Sequence, residues 1–203
     1  MSRVPINKSS LAHERKQLKL FKKFLPSLDL KRQQLLTEQK KAQDESRHAL
    51  QHLEDVRRRL EPWFKPLGAY DIELTGLVRV DSVDLVEQNV VGARLPVVQE
   101  IHFAEEPYSL MAKPFWVDFL VQALKLACEA EIRAQVASER VDRLNRQVRR
   151  ITQRVNLFEK ILIPSAQSNI KRIQLGLSEQ ERSAVVRSKL AKRKNQQTVS
   201  QSR

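Results

Sequence analysis

The chain has 203 residues, of which 37 are Lys or Arg and 24 are Asp or Glu, giving a formal charge of +13 at neutral pH. Charged residues make up 30% of it, aromatics only 5%, and there are just 4 glycines, a composition poor in turn formers and in the bulky side chains that fill a compact core. This argues against a sandwich, a barrel or a doubly wound sheet, and the lone cysteine, Cys128, excludes an internal disulfide framework.

At the N-terminus, Met1 to Lys23 alternates charge with single apolar residues, where a signal peptide would carry a continuous apolar run. No later stretch approaches the ~18 consecutive apolar residues that span a bilayer. A cytoplasmic protein is expected, one that a partner could hold at a membrane. The first predicted element is a long helix. Steps of three and four residues from Leu11 to Trp63 pass through Leu18, Phe21, Leu25, Leu28, Leu35, Leu53 and Leu60, and twelve of the sixteen positions are apolar. Heptad spacing sustained so far predicts a coiled-coil helix. At ~1.5 Å per residue it would run ~80 Å. Pro26 should bend it, and Pro62, Pro66 and Gly68 should end it.

Residues 67–113 read as a small insert. Segments 77–88 and 93–103 are rich in Val, Leu and Ile, and Asn89 to Gly92 supplies turn chemistry, so a short β-hairpin is predicted. Pro96 would place its second strand at an edge. Pro107 and Pro114 then precede a second long helix. Its seam runs from Trp116 through Ala130, Ala134, Leu144, Val148, Val155 and Phe158 to Leu162, and all fourteen positions are apolar. Beyond Leu162 the register fails at Ser165 and resumes at Ala166, Ile170, Ile173 and Leu177. With Pro164 in the same turn, a stutter with locally slackened twist is expected.

Each helix must bury its seam, and the other helix is the simplest partner. The predicted fold is mainly α: a long antiparallel two-helix coiled coil from the N-terminal (1–66) and C-terminal (114–203) segments, with a small hairpin-containing insert (67–113). Pairing Leu60 with Leu120 would set Ala49, Ser46 and Ala42 against Ala130, Ala134 and Ala137. Small residues would then face small ones, and the helices would approach closely. Leu53, Leu60, Ala130, Ala134, Val148, Val155, Leu162 and Pro164 are the expected packing residues of such a shaft.

No catalytic constellation is visible. His48 and His52 have i,i+4 spacing but no third or fourth ligand, and a solvated helix face accounts for them. Cys128 has no neighbouring Cys or His to activate it and should be a small buried or half-buried residue. No glycine-rich phosphate loop is present. Accordingly no catalytic residue, cofactor or metal is expected. Basic residues concentrate at the two ends, including Lys8, Arg15 and Lys19 near the start and Lys189, Lys192 and Arg193 near the end. In an antiparallel hairpin both runs fall at one tip. Charge and heptads alone leave open a basic coiled-coil scaffold or adaptor and a nucleic-acid binder, although stacking aromatics are missing from the tip segments.

Three stretches narrow this: NVVGARLPV (89–97), RRITQRVNLFEKILIP (149–164) and LSEQERSAVVRSKLAKRK (177–194). Together with VPINKSSLAHERKQLKL (4–20), they resemble the D subunit of the V-type and A-type rotary ATPases over essentially the whole chain. RVN followed by Ile-Pro inside a heptad helix is the most specific match. Asn7 stands where the family tends to have Thr. The resemblance implies a central-stalk rotor component without catalytic groups of its own. Its two termini would enter the hexamer of catalytic A and regulatory B subunits. Its other end would meet the central-stalk F subunit and the adaptor on the membrane ring. Lys8, Leu11, Arg15, Lys19, Lys189, Lys192 and Arg193 would form the hexamer-facing tip. Asn89, Gly92 and Pro96 would shape the end that meets the other rotor components.

Overall fold

The computed structural model describes the backbone of residues 5–67, 78–104 and 116–201 and the side chains of 5–62, 78–104 and 116–194. The expected roles of Trp63, Gly68, Pro107 and Pro114 lie outside this range. The described elements are helix α1 (Lys8–Leu67), strands β1 (Arg79–Val90) and β2 (Ala93–Ala104), helix α2 (Trp116–Leu157), a π-helical turn (Phe158–Leu162) and helix α3 (Ile163–Gln201). The chain divides into two compact units: Met1–Leu30 with Thr152–Arg203, and Lys31–Ile151. Both ends of the polypeptide therefore belong to the same unit.

Helix α1 begins at a capped terminus. The Asn7 side-chain oxygen accepts from the Ser10 amide at 2.6 Å, and the Asn7 carbonyl accepts the first helical bond from Leu11, which satisfies donors that a helix start leaves bare. The helix then runs unbroken through Pro26, and it passes Pro62 and Pro66 to reach Leu67, so neither of these prolines ends it. Pro62 is exposed, as is Arg58 one turn back, and water can satisfy the carbonyl that loses its intrahelical donor.

In the unit formed by residues 31–151, α1 and α2 run antiparallel. Arg57 pairs with Glu131 at 2.8 Å, Glu45 with Arg140 at 2.9 Å, and the Gln39 amide with Asn145. As residue numbers fall on one helix they rise on the other. Leu53 packs against Ala130 and Ala134, flanked by Ala49 and Val56. The register is thus shifted from the Leu60–Leu120 pairing: a leucine, not an alanine, faces the small residues. Seam residues repeat every seven positions, so burial alone is satisfied by several registers. The cross-helix ion and amide pairs distinguish among them.

The insert forms an antiparallel hairpin with Val90 opposite Ala93, so the turn is the pair Val91–Gly92. Both have positive φ, 53° and 83°, as a primed two-residue turn requires. Asn89 secures it by accepting from the Gly92 amide at 2.9 Å. For Val91, a β-branched residue, this conformation carries strain on the order of 1–3 kcal/mol. A bulge at Asp81 puts the half-buried Val80 and Val83 three positions apart, opposite Phe103 and Ile101, where strict alternation would space them two apart.

The hairpin lies along the helices. Val78, just before β1, packs on the cluster of Val117, Leu120 and Val121 at the start of α2. At the far end, an Arg143 guanidinium N–H donates to the Arg94 carbonyl at 3.3 Å. A twelve-residue strand covers roughly 40 Å, as does the helix from Val117 to Arg143 at ~1.5 Å per residue. Ala93, Leu95 and Pro96 are buried, the first two at 1% exposure. The turn therefore lies back along the helix pair, near Arg143, and not beside the start of α2. Among the described residues the sheet has two strands, so Pro96 lies in an edge strand.

In the unit formed by the two chain ends, the Phe21 ring packs edge-on against Phe158 with centroids 5.5 Å apart. Ile6 lies against Gly176 so closely that an added Cβ would come within 2.8 Å of Ile6 Cγ2. The two contacts again run antiparallel. The expected disturbance at Pro164 takes a definite form: the Ile163 amide bonds back five residues to the Phe158 carbonyl. One extra residue in this turn matches the one-residue slip from Ser165 to Ala166, and it restores Ala166 (4% exposed) and Ile173 (0%) to the line begun by Ile151 and Val155. The wide turn also relieves the clash between a proline ring and the preceding helical turn.

Candidate functional site

Nothing among the described residues gathers three or more His, Cys, Asp or Glu side chains in a metal-binding arrangement. His48 and His52 are exposed on α1, and Cys128 is half-buried on α2. Nor is any helix among the described residues long and apolar enough to cross a membrane. The features that remain are two helical seams, an exposed basic stretch of α3 and a docked hairpin.

The seams bury what the periodicity selects. Every position of the second seam, from Trp116 in α2 to Leu162 in the π-helical turn, is buried or half-buried. Of the expected packing residues, Leu53, Leu60, Ala130, Ala134 and Val155 are buried, with exposures of 7%, 9%, 3%, 3% and 0%. Val148 and Leu162 are half-buried. Pro164 is the exception. Its side chain is exposed, so it acts on backbone geometry and does not pack. Fully burying a Leu, Val or Phe contributes ~1.5–3 kcal/mol, and a continuous line of them resists sliding and twisting. The exposed pairs across the seam, at ~0–1 kcal/mol each, add little to stability and serve chiefly to fix register.

Of the tip residues, Lys8, Arg15, Lys19, Lys189, Lys192 and Arg193 are exposed and Leu11 is half-buried on the seam. All belong to the unit that contains both chain ends. From Glu179 to Lys194 every residue of α3 is exposed, including Val185, Val186 and Leu190 at 54%, 56% and 59%. A helix of this length with no packed face draws little stability from its own propensity. Arg3 and Arg203, also part of the basic runs, lie outside the described residues.

In the unit of residues 31–151, the Leu53 region is flanked by two grooves. One, of ≈600 Å³, is lined by Leu53, Leu60, Val80, Leu124 and Cys128 among others; the second, of ≈390 Å³, lies beside Ala49, His52, Leu126 and Ala130. A further cleft of ≈300 Å³ at the hairpin turn is lined by Gly92, Ala93, Arg94, Arg143, Arg146, Gln147 and Arg150. Asn89 and Gly92 stand at this turn. The arginines of α2 were not anticipated, because charged residues on the outer face of a heptad helix give no periodic signal. Only the return of the hairpin along the helices makes them part of one site.

Comparison with known proteins supplies the identification that geometry alone does not. The sequence profile of the family described as the ATP synthase D subunit matches residues 10–193. The V-type ATP synthase D subunit of Borreliella burgdorferi is 33% identical over 194 residues, covering 95% of each chain. The proteins of the same name from Chlamydia muridarum and Chlamydia caviae are 32% and 31% identical over 199 and 205 residues, covering 97% and 99% of this chain and 98% of theirs.

Proposed function

We propose that this chain, which belongs to the D-subunit family of ATP synthases, is the central rotor shaft of a V-type or A-type ATPase. In this role it forms no bonds itself. It links nucleotide chemistry in a ring of catalytic A and regulatory B subunits to ion movement through a membrane ring. The observation that carries the reading is the shared unit of the two chain ends, whose helices run antiparallel and continue into an exposed basic helix.

A pair of helices has no threefold symmetry. Held inside a ring of three otherwise equivalent catalytic interfaces, it presents a different surface to each and so favours a different conformation in each. Each nucleotide state then favours one shaft angle and each angle one nucleotide state, because coupling between two equilibria is reciprocal. Lys8, Leu11, Arg15 and Lys19 on α1, with Lys189, Lys192 and Arg193 on α3, would face the ring. Exposed ion pairs to carboxylates there are weak enough to break as the shaft turns. The opposite end would engage the central-stalk F subunit and the adaptor on the membrane ring. Asn89, Gly92 and Pro96 would contribute along the flank of the shaft, where the hairpin lies. The complex would sit at the membrane periphery with this chain outside the bilayer.

The test is purification of the native assembly through a tag on this chain, followed by lysine crosslinking. The expected result is co-purification of the A and B subunits, with crosslinks from Lys8 and Lys189 converging on the cavity of one hexamer. Crosslinks from these two lysines to separate surfaces, or a preparation lacking A and B, would contradict the role.

A further inference from the structure

We propose that the cleft at the hairpin turn is a binding site for a polyphosphate anion, either free pyrophosphate or the phosphate chain of a nucleotide. This is independent of the shaft reading and would stand without it. The cleft has room for a small ligand at the lower end of the usual size range, ≈300 Å³. Four arginines and no carboxylate line it. A fifth cation comes from α1: the Lys31 ammonium reaches the open side of Gly92, where an added Cβ would lie 3.2 Å from Nζ. A side chain at Gly92 would crowd that ammonium.

The five cations fall into two groups. Arg143 is a strut, held by Glu139 at 2.6 Å and Glu87 at 3.7 Å while it grips the Arg94 carbonyl. Arg94 itself has Glu87 at 3.8 Å. Lys31, Arg146 and Arg150 have no hydrogen bond or ion pair among the described residues. Tertiary structure has thus drawn unneutralised charge from both helices to one hairpin turn, which self-repulsion opposes unless an anion is bound. Arg146 and Arg150 are one turn apart on α2, so their guanidinium forks can address the same ligand. Guanidinium geometry matches phosphate oxygens in paired hydrogen bonds, and an ammonium adds a point charge. A single phosphate would leave part of this charge unmet, whereas linked phosphates can span it.

The experiment is calorimetric titration of the full chain with pyrophosphate, with ATP, and with sulfate at matched ionic strength. Saturable binding of one pyrophosphate or one ATP per chain is expected, with sulfate much weaker. If pyrophosphate binds as tightly as ATP, the free anion suffices; tighter ATP binding identifies the nucleotide as the source. Arg146→Gln with Arg150→Gln should weaken binding by about tenfold or more, as loss of charge-assisted bonds predicts. Arg149→Gln with Arg154→Gln, the same charge change at exposed positions of α2 outside the cleft, should leave it nearly unchanged. As a readout independent of any variant, the Gly92 and Ala93 amide resonances should shift on titration. Equal binding of sulfate, equal losses in the two double variants, or unshifted turn amides would overturn the site.

Discussion

Replacing Ala134 with Leu should destabilise the chain and uncouple the assembly. Ala134 is 3% exposed and, with Ala130, forms the surface on which Leu53 sits. Three added carbons have no space there, and overpacking of this kind costs typically ~1–3 kcal/mol. The helices can relieve it only by separating at this level or by twisting Leu53 out of its place. In the isolated protein, urea unfolding should show lower stability. In the rotor role proposed above, hydrolysis by the reassembled ATPase should persist while ion pumping per ATP falls, since a splayed shaft would turn without holding its angle. Unchanged stability together with unchanged coupling would mean that the alanine surface is not where the helices are tightest.

Ile173→Ala should have the larger thermodynamic effect. Ile173 is fully buried, in the unit that contains both chain ends, and truncating such a residue costs typically ~2–5 kcal/mol. The informative readout is where the loss is felt. Hydrogen exchange should quicken in α3 and also in the first turns of α1, which draw their stability from packing against it rather than from helix propensity. Faster exchange confined to α3 would show that α1 does not depend on this seam.

How far the sequence foretold this structure depends on which interactions leave a periodic trace. Burial does. The line from Leu120 to Leu162 could be named from spacing alone, and the slip at Ser165 announced a change of helical geometry that the π turn supplies. Register leaves a weaker trace, since a heptad seam offers a new pairing at each repeat. The choice rests on Arg57–Glu131 and Glu45–Arg140, charged pairs unremarkable in a chain with so many ions. The existence of the hairpin was legible in its β-branched runs and in Asn89. Its placement was not, because Arg143 and Lys31, which meet the turn, carry no apolar signal. Pro164 departs from the expected packing for a related reason: a proline on a helix can change the backbone while its ring faces water.

The family relationship adds what neither periodicity nor geometry supplies, a complex for the chain to belong to. It leaves untouched the physical premise that the start of α1 and the first half of α3 lie against each other within one molecule. The most direct measurement of that premise introduces Ile6→Cys and Gly176→Cys together, with Cys128→Ser to remove the native thiol. Ile6 and Gly176 are already in contact, and a disulfide forms readily only between residues whose Cα atoms lie within about 7 Å. Under mild oxidation at high dilution, a rapid and near-complete disulfide within single chains is predicted. Free thiols that persist, or disulfides that link one chain to another, would contradict it.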